Sequence, residues 1–187
     1  SIERRAWENA VWVNGTLNFT EALTASLGLR LGTFSPLGGS LYYDIEPDGS
    51  IGWYYNYKDN EIVKTYVTLE PRASISYQLS ELTSVKLGYA RTSQNIHALR
   101  NQSTSTPFDR YAISSNIIEP EVAVQVSAGF YLMTPSQDYD FSLETYYRKT
   151  DNLLNTVTAP AGTNFSNELL TNVGTLENKG IELSLTA

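Results

Sequence analysis

Four groups of residues could do chemistry by their types and spacing. The first is His97, the single histidine of the chain, with Arg91, Arg100 and Arg110 near it in sequence. That set could meet an anionic ligand or line a selectivity surface, and a histidine in a long connection can equally serve to pack it. No Ser, Asp or Glu at relay spacing accompanies it, so a triad is not supported. The second is Asp44-Ile45-Glu46-Pro47-Asp48-Gly49, which imitates the first half of an EF-hand loop. The bidentate acid that such a loop needs at its twelfth position is here Tyr55. A hairpin turn at Pro47-Asp48-Gly49 accounts for the run better. The third is the aromatic group Tyr42, Tyr43, Trp53, Tyr54, Tyr55 and Tyr57. Aromatic faces stack on sugars or flat chelates; they also gather at membrane interfaces and pack long loops. The fourth is Glu70, Arg72, Lys86, Glu144 and Arg148, which suit the polar lining of a channel better than paired-carboxylate catalysis. No catalytic, cofactor or metal residue emerges, and the sequence supports no enzyme. The candidate ligand contacts are Tyr54, Tyr55, His97 and Arg100.

Composition narrows the classes further. The chain has 187 residues, no cysteine and a net charge of −7. A disulfide framework, a thiolate metal site and a cysteine nucleophile are therefore excluded, and one histidine is too few for a multi-histidine zinc site. The acidic balance argues against nucleic acid, where phosphates call for a surplus of Lys and Arg. No uncharged apolar run approaches the roughly 18–20 residues of a helical membrane span. Yet 41% hydrophobic residues and 13 tyrosines are too many for a disordered chain.

The elements that must position these residues have period two. Leu23, Ala25, Leu27, Leu29 and Leu31 alternate with Thr24, Ser26, Gly28, Arg30 and Gly32, a strand with one apolar and one polar face. The same alternation runs through Val67 to Leu79, Val85 to Tyr89, Val122 to Leu132, Tyr139 to Tyr147 and Ile181 to Leu185, and more loosely through Val11 to Phe19. Seven strands are predicted, none needing a helix between them. Asn14-Gly15 is a strong hairpin signal, but its arms would be too short to hold a sheet and the alternation passes through the pair unchanged. One continuous strand is predicted there.

Charge is sorted by face. Glu8, Arg30, Glu70, Arg72, Lys86, Glu121, Asp140, Glu144, Arg148 and Glu182 lie on the polar face, and only Arg91 has the parity of the apolar one. A one-residue slip would reverse that sorting, so register is specified. A soluble sandwich also hides one face of each strand. Length argues against it: Val67 to Leu79 extends to roughly 43 Å at about 3.3 Å per residue, whereas soluble strands average about 5–6 residues. Connections decide the matter. Thr20 to Ala22, Ser80 to Thr83 and Thr134 to Asp138 are short; Phe34 to Lys64, Ser93 to Pro120 and Lys149 to Lys179 are long. Short and long alternate strictly, as in an outer-membrane barrel with tight periplasmic turns and long extracellular loops.

Particular stretches also resemble a family. Val63-Lys64-Thr65-Tyr66 and Leu69-Glu70-Pro71-Arg72 resemble the strand after a long loop in TonB-dependent outer-membrane receptors. So do Tyr89-Ala90-Arg91-Thr92-Ser93-Gln94-Asn95-Ile96-His97, Pro120-Glu121 and Gln125-Val126-Ser127-Ala128-Gly129. Tyr146-Tyr147-Arg148-Lys149 and Asn178-Lys179-Gly180-Ile181-Glu182-Leu183 are similar to two further strand motifs. The style is that of the large Bacteroidota receptors with an N-terminal carboxypeptidase-regulatory-like domain. This resemblance implies a barrel of about 22 strands closed by a plug domain, importing a scarce nutrient with energy from TonB.

The expectation is thus an all-β, antiparallel up-and-down transmembrane β-barrel segment of about seven long strands, an open sheet in this chain. Residues 1–187 are expected to form part of one barrel domain, its middle-to-late strands, without the plug domain or the closing strands. Its expected setting is the bacterial outer membrane. Its expected partners are membrane lipid, its own plug in the lumen, TonB through a missing N-terminal part, and a nutrient of the siderophore, glycan, peptide or cobalamin kind. Two alternatives stand beside this reading: a non-transporting binding or adhesion barrel, and a soluble carbohydrate-binding β domain.

Overall fold

The computed structural model describes residues 3–45, 51–99, 110–136, 138–156 and 171–186. Seven long strands make one sheet: β1 (Arg5–Asn18), β2 (Leu23–Leu37), β5 (Tyr66–Ser80), β6 (Thr83–Gln94), β9 (Glu121–Met133), β10 (Asp140–Thr156) and β11 (Thr171–Thr186). They follow one another across the sheet in that order, and every neighbouring pair is antiparallel. Two short hairpins lie in the long connections, β3 (Leu41–Ile45) with β4 (Ile51–Asn56) and β7 (Ile96–Leu99) with β8 (Arg110–Ile113). Among the described residues there is no helix, and the further sheets are these two hairpins.

The short turns are closed by hydroxyl side chains. Thr20 Oγ1 accepts hydrogen bonds from the amides of Ala22 and Leu23, at 3.2 and 3.0 Å. Ser80 Oγ accepts from the Leu82 amide at 3.3 Å, and Thr134 Oγ1 from the Tyr139 amide at 3.2 Å. Each hydroxyl replaces a ladder partner where the chain reverses. Asn14-Gly15 does not turn: Asn14 faces Gly28 and Gly15 faces Leu27 within an unbroken β1–β2 ladder.

Register carries each residue's face across the sheet. One row joins Ala25, Ile75, Leu87, Ala128, Thr145 and Ile181, and the next toward the short turns joins Leu23, Tyr77, Val85, Phe130, Leu143 and Leu183. On the opposite face run Gly28, Arg72, Ala90, Gln125, Arg148 and Asn178. Ser76, Lys86, Gly129, Glu144 and Glu182 share that polar face. Leu27, Leu29, Ile75 and Leu87 are exposed on the apolar one.

Two strands depart from expectation. β10 continues past Lys149 to Thr156, and β11 begins at Thr171 rather than near Lys179. Lys149, Asp151, Glu177 and Lys179 take the apolar parity there, so the side-chain alternation ends before the ladder does; backbone pairing needs no apolar side chain. A bulge between Thr150 and Leu153 interrupts it, with Asn152 in the left-handed region at φ 60 and its Nδ2 donating to the Pro120 carbonyl at 3.1 Å. Asn tolerates that conformation better than other residues bearing a Cβ.

Pro71 has a comparable effect inside β5. It pairs with Leu29 of β2, but the β5–β6 ladder stops at Arg72 and Ala90. Proline has no amide hydrogen to continue it. Above that point Arg91 Nη1 donates to the Leu69 carbonyl at 2.6 Å, satisfying an acceptor that β6 no longer reaches.

Close packing is found at the long-loop end rather than behind the sheet. Phe34, Leu37, Tyr42, Ala112 and Ile118 are buried, and Ile117 and Leu154 pack against Ala112 and Ile118. The Gly38-Gly39 pair closes one side of this region. Gly39 has φ +99, and a Cβ there would meet Asp59 Oδ1 at 2.5 Å; at Gly38 it would meet the Lys58 carbonyl at 2.2 Å. Only glycine fits both positions.

Candidate functional site

The polar face of the sheet is the first surface that could meet a solute. It encloses a hollow of about 610 Å³, lined among others by Asn14, Arg30, Glu70, Arg72, Ser74 and Gln125. Glu70 anchors it, at 3% exposure. Arg30 Nη1 donates to Glu70 Oε1 at 2.9 Å, the Ser93 hydroxyl donates to the same oxygen, and Arg30 Nη2 lies 3.5 Å from Glu8. The carboxylate is buried because its charge is matched by hydrogen bonds from two neighbouring strands. Arg72 also faces the hollow.

A second polar cluster sits nearer the short turns. The Lys86 ammonium lies 4.6 Å from the Tyr131 ring centroid, and Tyr131 donates to Glu144 Oε1 at 3.0 Å. Gly129 makes room for it: a Cβ there would meet the Tyr131 ring and hydroxyl at 2.7 to 3.0 Å. Tyr131 therefore lies along the wall instead of projecting into the space before it.

The β3–β4 hairpin carries the aromatic group. Tyr42 is fully buried; its hydroxyl donates to the Leu37 carbonyl at 2.8 Å, Tyr57 meets it edge-on at 5.6 Å, and the Arg4 guanidinium lies 4.0 Å over its ring. Tyr55 pairs with Tyr42 and Tyr54 with Tyr43. Tyr42 thus fixes the hairpin, and Trp53, Tyr54 and Tyr55 present their rings outward at 78, 68 and 47% exposure. Tyr54 and Tyr55 are available for contact from opposite faces of β4. Trp53 shares the face of Tyr55 two positions away and is the most exposed of the three, a prominence that its sequence neighbourhood did not reveal.

His97 is placed differently. It is 3% exposed beneath the β7–β8 hairpin, with Nε2 3.3 Å from Ser114 Oγ. Its Nδ1 has no hydrogen-bond partner and lies 4.0 Å from Glu121 Oε2. Burial without a close counter-charge holds the imidazole below the ordinary histidine value. His97 is thus buried within the second long connection rather than exposed on its surface. Tyr66 secures the same region by donating to the Ser115 carbonyl at 2.5 Å, and Asn116 Nδ2 by donating to the Tyr43 carbonyl at 2.6 Å. Arg100 and residues 46–50, with the expected Pro47-Asp48-Gly49 turn, lie outside the described residues; β3 and β4 on either side of that turn are antiparallel, as a hairpin requires.

Comparison with known proteins is consistent across sequence and structure. The family model described as TonB dependent receptor-like, beta-barrel matches residues 1–187. The TonB-dependent receptor SusC of Bacteroides thetaiotaomicron is 51% identical over 45 residues, which are 24% of this chain and 4% of that protein. The FrpB iron transporter of Neisseria meningitidis (F3-3 variant) superposes with a TM-score of 0.60 at 12% identity, over 97% of this chain and 23% of the other. The alcaligin outer-membrane receptor FauA of Bordetella pertussis does so with a TM-score of 0.57 at 14% identity, over 97% and 27%. The chain spans about a quarter of the length of those solved structures.

Proposed function

Since the chain belongs to the TonB-dependent receptor β-barrel family, and so to an outer-membrane barrel, we propose that it forms part of the wall of a receptor that takes up a scarce nutrient with energy from TonB. The observation that carries this is the sorting of one continuous sheet into an exposed apolar face and a hydrogen-bonded polar face. Lipid covers the first, and the second lines a lumen in which a plug domain makes polar contacts. Arg72 and Gln125 are suited to such contacts. In this reading residues 1–187 belong to a single barrel domain, in its middle-to-late strands, and the plug and the segment that meets TonB lie elsewhere in the longer protein.

The long connections then face outward, and Trp53, Tyr54 and Tyr55 are ligand contacts at the mouth, with Arg100 beyond β7 a further one. Three exposed rings on one anchored hairpin supply flat apolar area with little conformational freedom to lose. The 51% match to a Bacteroides protein supports the Bacteroidota type. The nutrient is drawn from the siderophore, glycan, peptide and cobalamin classes, and the protein acts as receptor and conduit rather than catalyst.

The test uses the full-length receptor in its own host. Deletion should abolish uptake of one labelled nutrient among a ferric siderophore, an oligosaccharide, a peptide and a cobalamin. Disabling TonB should abolish the same uptake. Uptake of all four unchanged by deletion, or binding without TonB-dependent entry, would overturn transport and favour the adhesion barrel.

A further inference from the structure

On the apolar face of β6, β9, β10 and β11, charge is confined to adjacent rows toward the long-loop end. The row Tyr89, Val126, Tyr147 and Lys179, and above it Arg91, Val124, Lys149 and Glu177, have the same parity as Leu87, Ala128, Thr145 and Ile181. These charges therefore project toward lipid, not into the lumen. Three of them, Lys149, Glu177 and Lys179, come from the stretches of β10 and β11 that the alternation alone had assigned to a loop. Lys149 is the tenth residue of β10 counted from its short-turn end. At the tilt of a barrel strand that height corresponds to the outer margin of an apolar band about 25 Å tall. Aromatic rings belong there, and Tyr89 and Tyr147 supply them.

Directly below is a groove of about 870 Å³, lined by Leu87, Val126, Ala128, Thr145, Tyr147 and Ile181. Its floor is low because Ala128 and Thr145 are short and stand side by side in register. The Thr145 hydroxyl is turned into the sheet, where it donates to the Gly180 carbonyl at 3.1 Å, so the floor is apolar. At the upper end the Lys179 ammonium lies 5.4 Å from the Tyr147 ring centroid. Lys149 Nζ is 3.1 Å from Asp151, and Lys179 Nζ is 3.9 Å from Glu177. Arg91, Lys149 and Lys179 against Asp151 and Glu177 leave a local surplus of one positive charge on a chain whose net charge is −7.

From this juxtaposition we infer that the outward face of β6, β9, β10 and β11 is a binding site for a phosphorylated, acylated lipid of the outer leaflet. An acyl chain lies over Ala128 and Thr145, and Lys149 and Lys179 hold the phosphate. Bulk lipid needs neither a notch nor cations. An acyl chain topped by an anion needs both, stacked in this order along the membrane normal. Asp151 and Glu177 hold the two ammonium groups when no phosphate is present and are displaced from them when it binds. The inference rests on the outward orientation of the long connections but not on transport.

The test uses purified full-length receptor in detergent with EDTA, so that no divalent ion bridges the acids to phosphate. Bisphosphorylated lipid A and its dephosphorylated form are titrated and counted by native mass spectrometry. The phosphorylated form should bind saturably with one high-affinity site. A Lys149→Gln/Lys179→Gln double variant should lose affinity for it by about 10–30-fold, the effect expected of two lysines near a charged lipid surface. Asp151→Asn/Glu177→Gln should bind it more tightly, and Ala128→Phe, which fills the notch, should bind both forms more weakly. Heat-modifiable gel migration reports which variants are folded, so loss of one leaves the others decisive. Equal binding of the two lipids by the unmodified receptor would overturn the proposal. So would unchanged binding by the folded lysine variant, weaker binding by the acid variant, or a second receptor copy held at this face independently of the lysines.

Discussion

At the scale of single residues, Glu70 matters through its pairing and His97 through its burial. Glu70 is held by Arg30 and Ser93 from the strands on either side. Glu70→Ala removes a charge-assisted hydrogen bond and leaves Arg30 with the more distant Glu8. It should lower stability by about 1.5–3 kcal/mol, read from urea unfolding in detergent, with Glu70→Gln intermediate. His97 is held in its neutral form by burial. Unfolded, it takes up a proton near its ordinary value of about 6.5; folded, it does so only at lower pH. Its contribution is therefore complete above that value and lost as pH falls below it. Protection factors for hydrogen exchange in the β7–β8 hairpin should fall on acidification below about pH 6.5, and His97→Leu should remove most of that dependence.

At the scale of elements, sheet geometry makes testable demands. Gly129→Leu would push the Tyr131 ring from its place, breaking its bond to Glu144 and its contact with Lys86. An overpacked site of this kind costs about 1–3 kcal/mol, and intrinsic tyrosine fluorescence would report the displaced ring. The alternation of short and long connections fixes strand direction relative to the membrane. Within this chain an introduced cysteine has no native one beside it. A cysteine at Tyr55 should react with an impermeant maleimide on intact cells, and one at Glu81 should stay unlabelled until the outer membrane is opened. The reverse pattern would reject the topology.

At the scale of the whole molecule, the sheet makes sense only with lipid on one side. Leu27, Leu29, Ile75, Leu87 and Ile181 are exposed together on one face, a far larger apolar area than a soluble monomer tolerates. The soluble carbohydrate-binding domain weighed from sequence is set aside on that ground and by family membership. Ile75 lies in the row with Leu87, Ala128 and Thr145, near the middle of the expected apolar band. Ile75→Lys should destabilise the full-length barrel in vesicles by about 2–4 kcal/mol. Ser74→Lys, one position away on the polar face, should change stability by less than about 0.5 kcal/mol. Equal effects of the two substitutions would contradict the assignment of faces.

The seven long strands, their order and the sorting of faces were legible in the residues alone. Side-chain parity in a strand is local, so a long amphipathic run such as Leu23 to Leu31 assigns each residue its face, and a one-residue slip against its neighbour is forbidden. The short turns were legible too, because Thr20, Ser80 and Thr134 carry their own closing hydrogen bonds. Tertiary structure decided what local parity does not encode. It extended β10 and β11 through charges at positions of apolar parity, parted β5 from β6 above Pro71, and built two hairpins inside connections that read as loops. It also turned His97 inward while leaving Trp53, Tyr54 and Tyr55 exposed, because that choice depends on contacts with Ser114 and Tyr42, many residues away along the chain. Period two tells which face a residue takes; only neighbours brought in from other strands and loops determine whether that face meets protein, lipid or ligand.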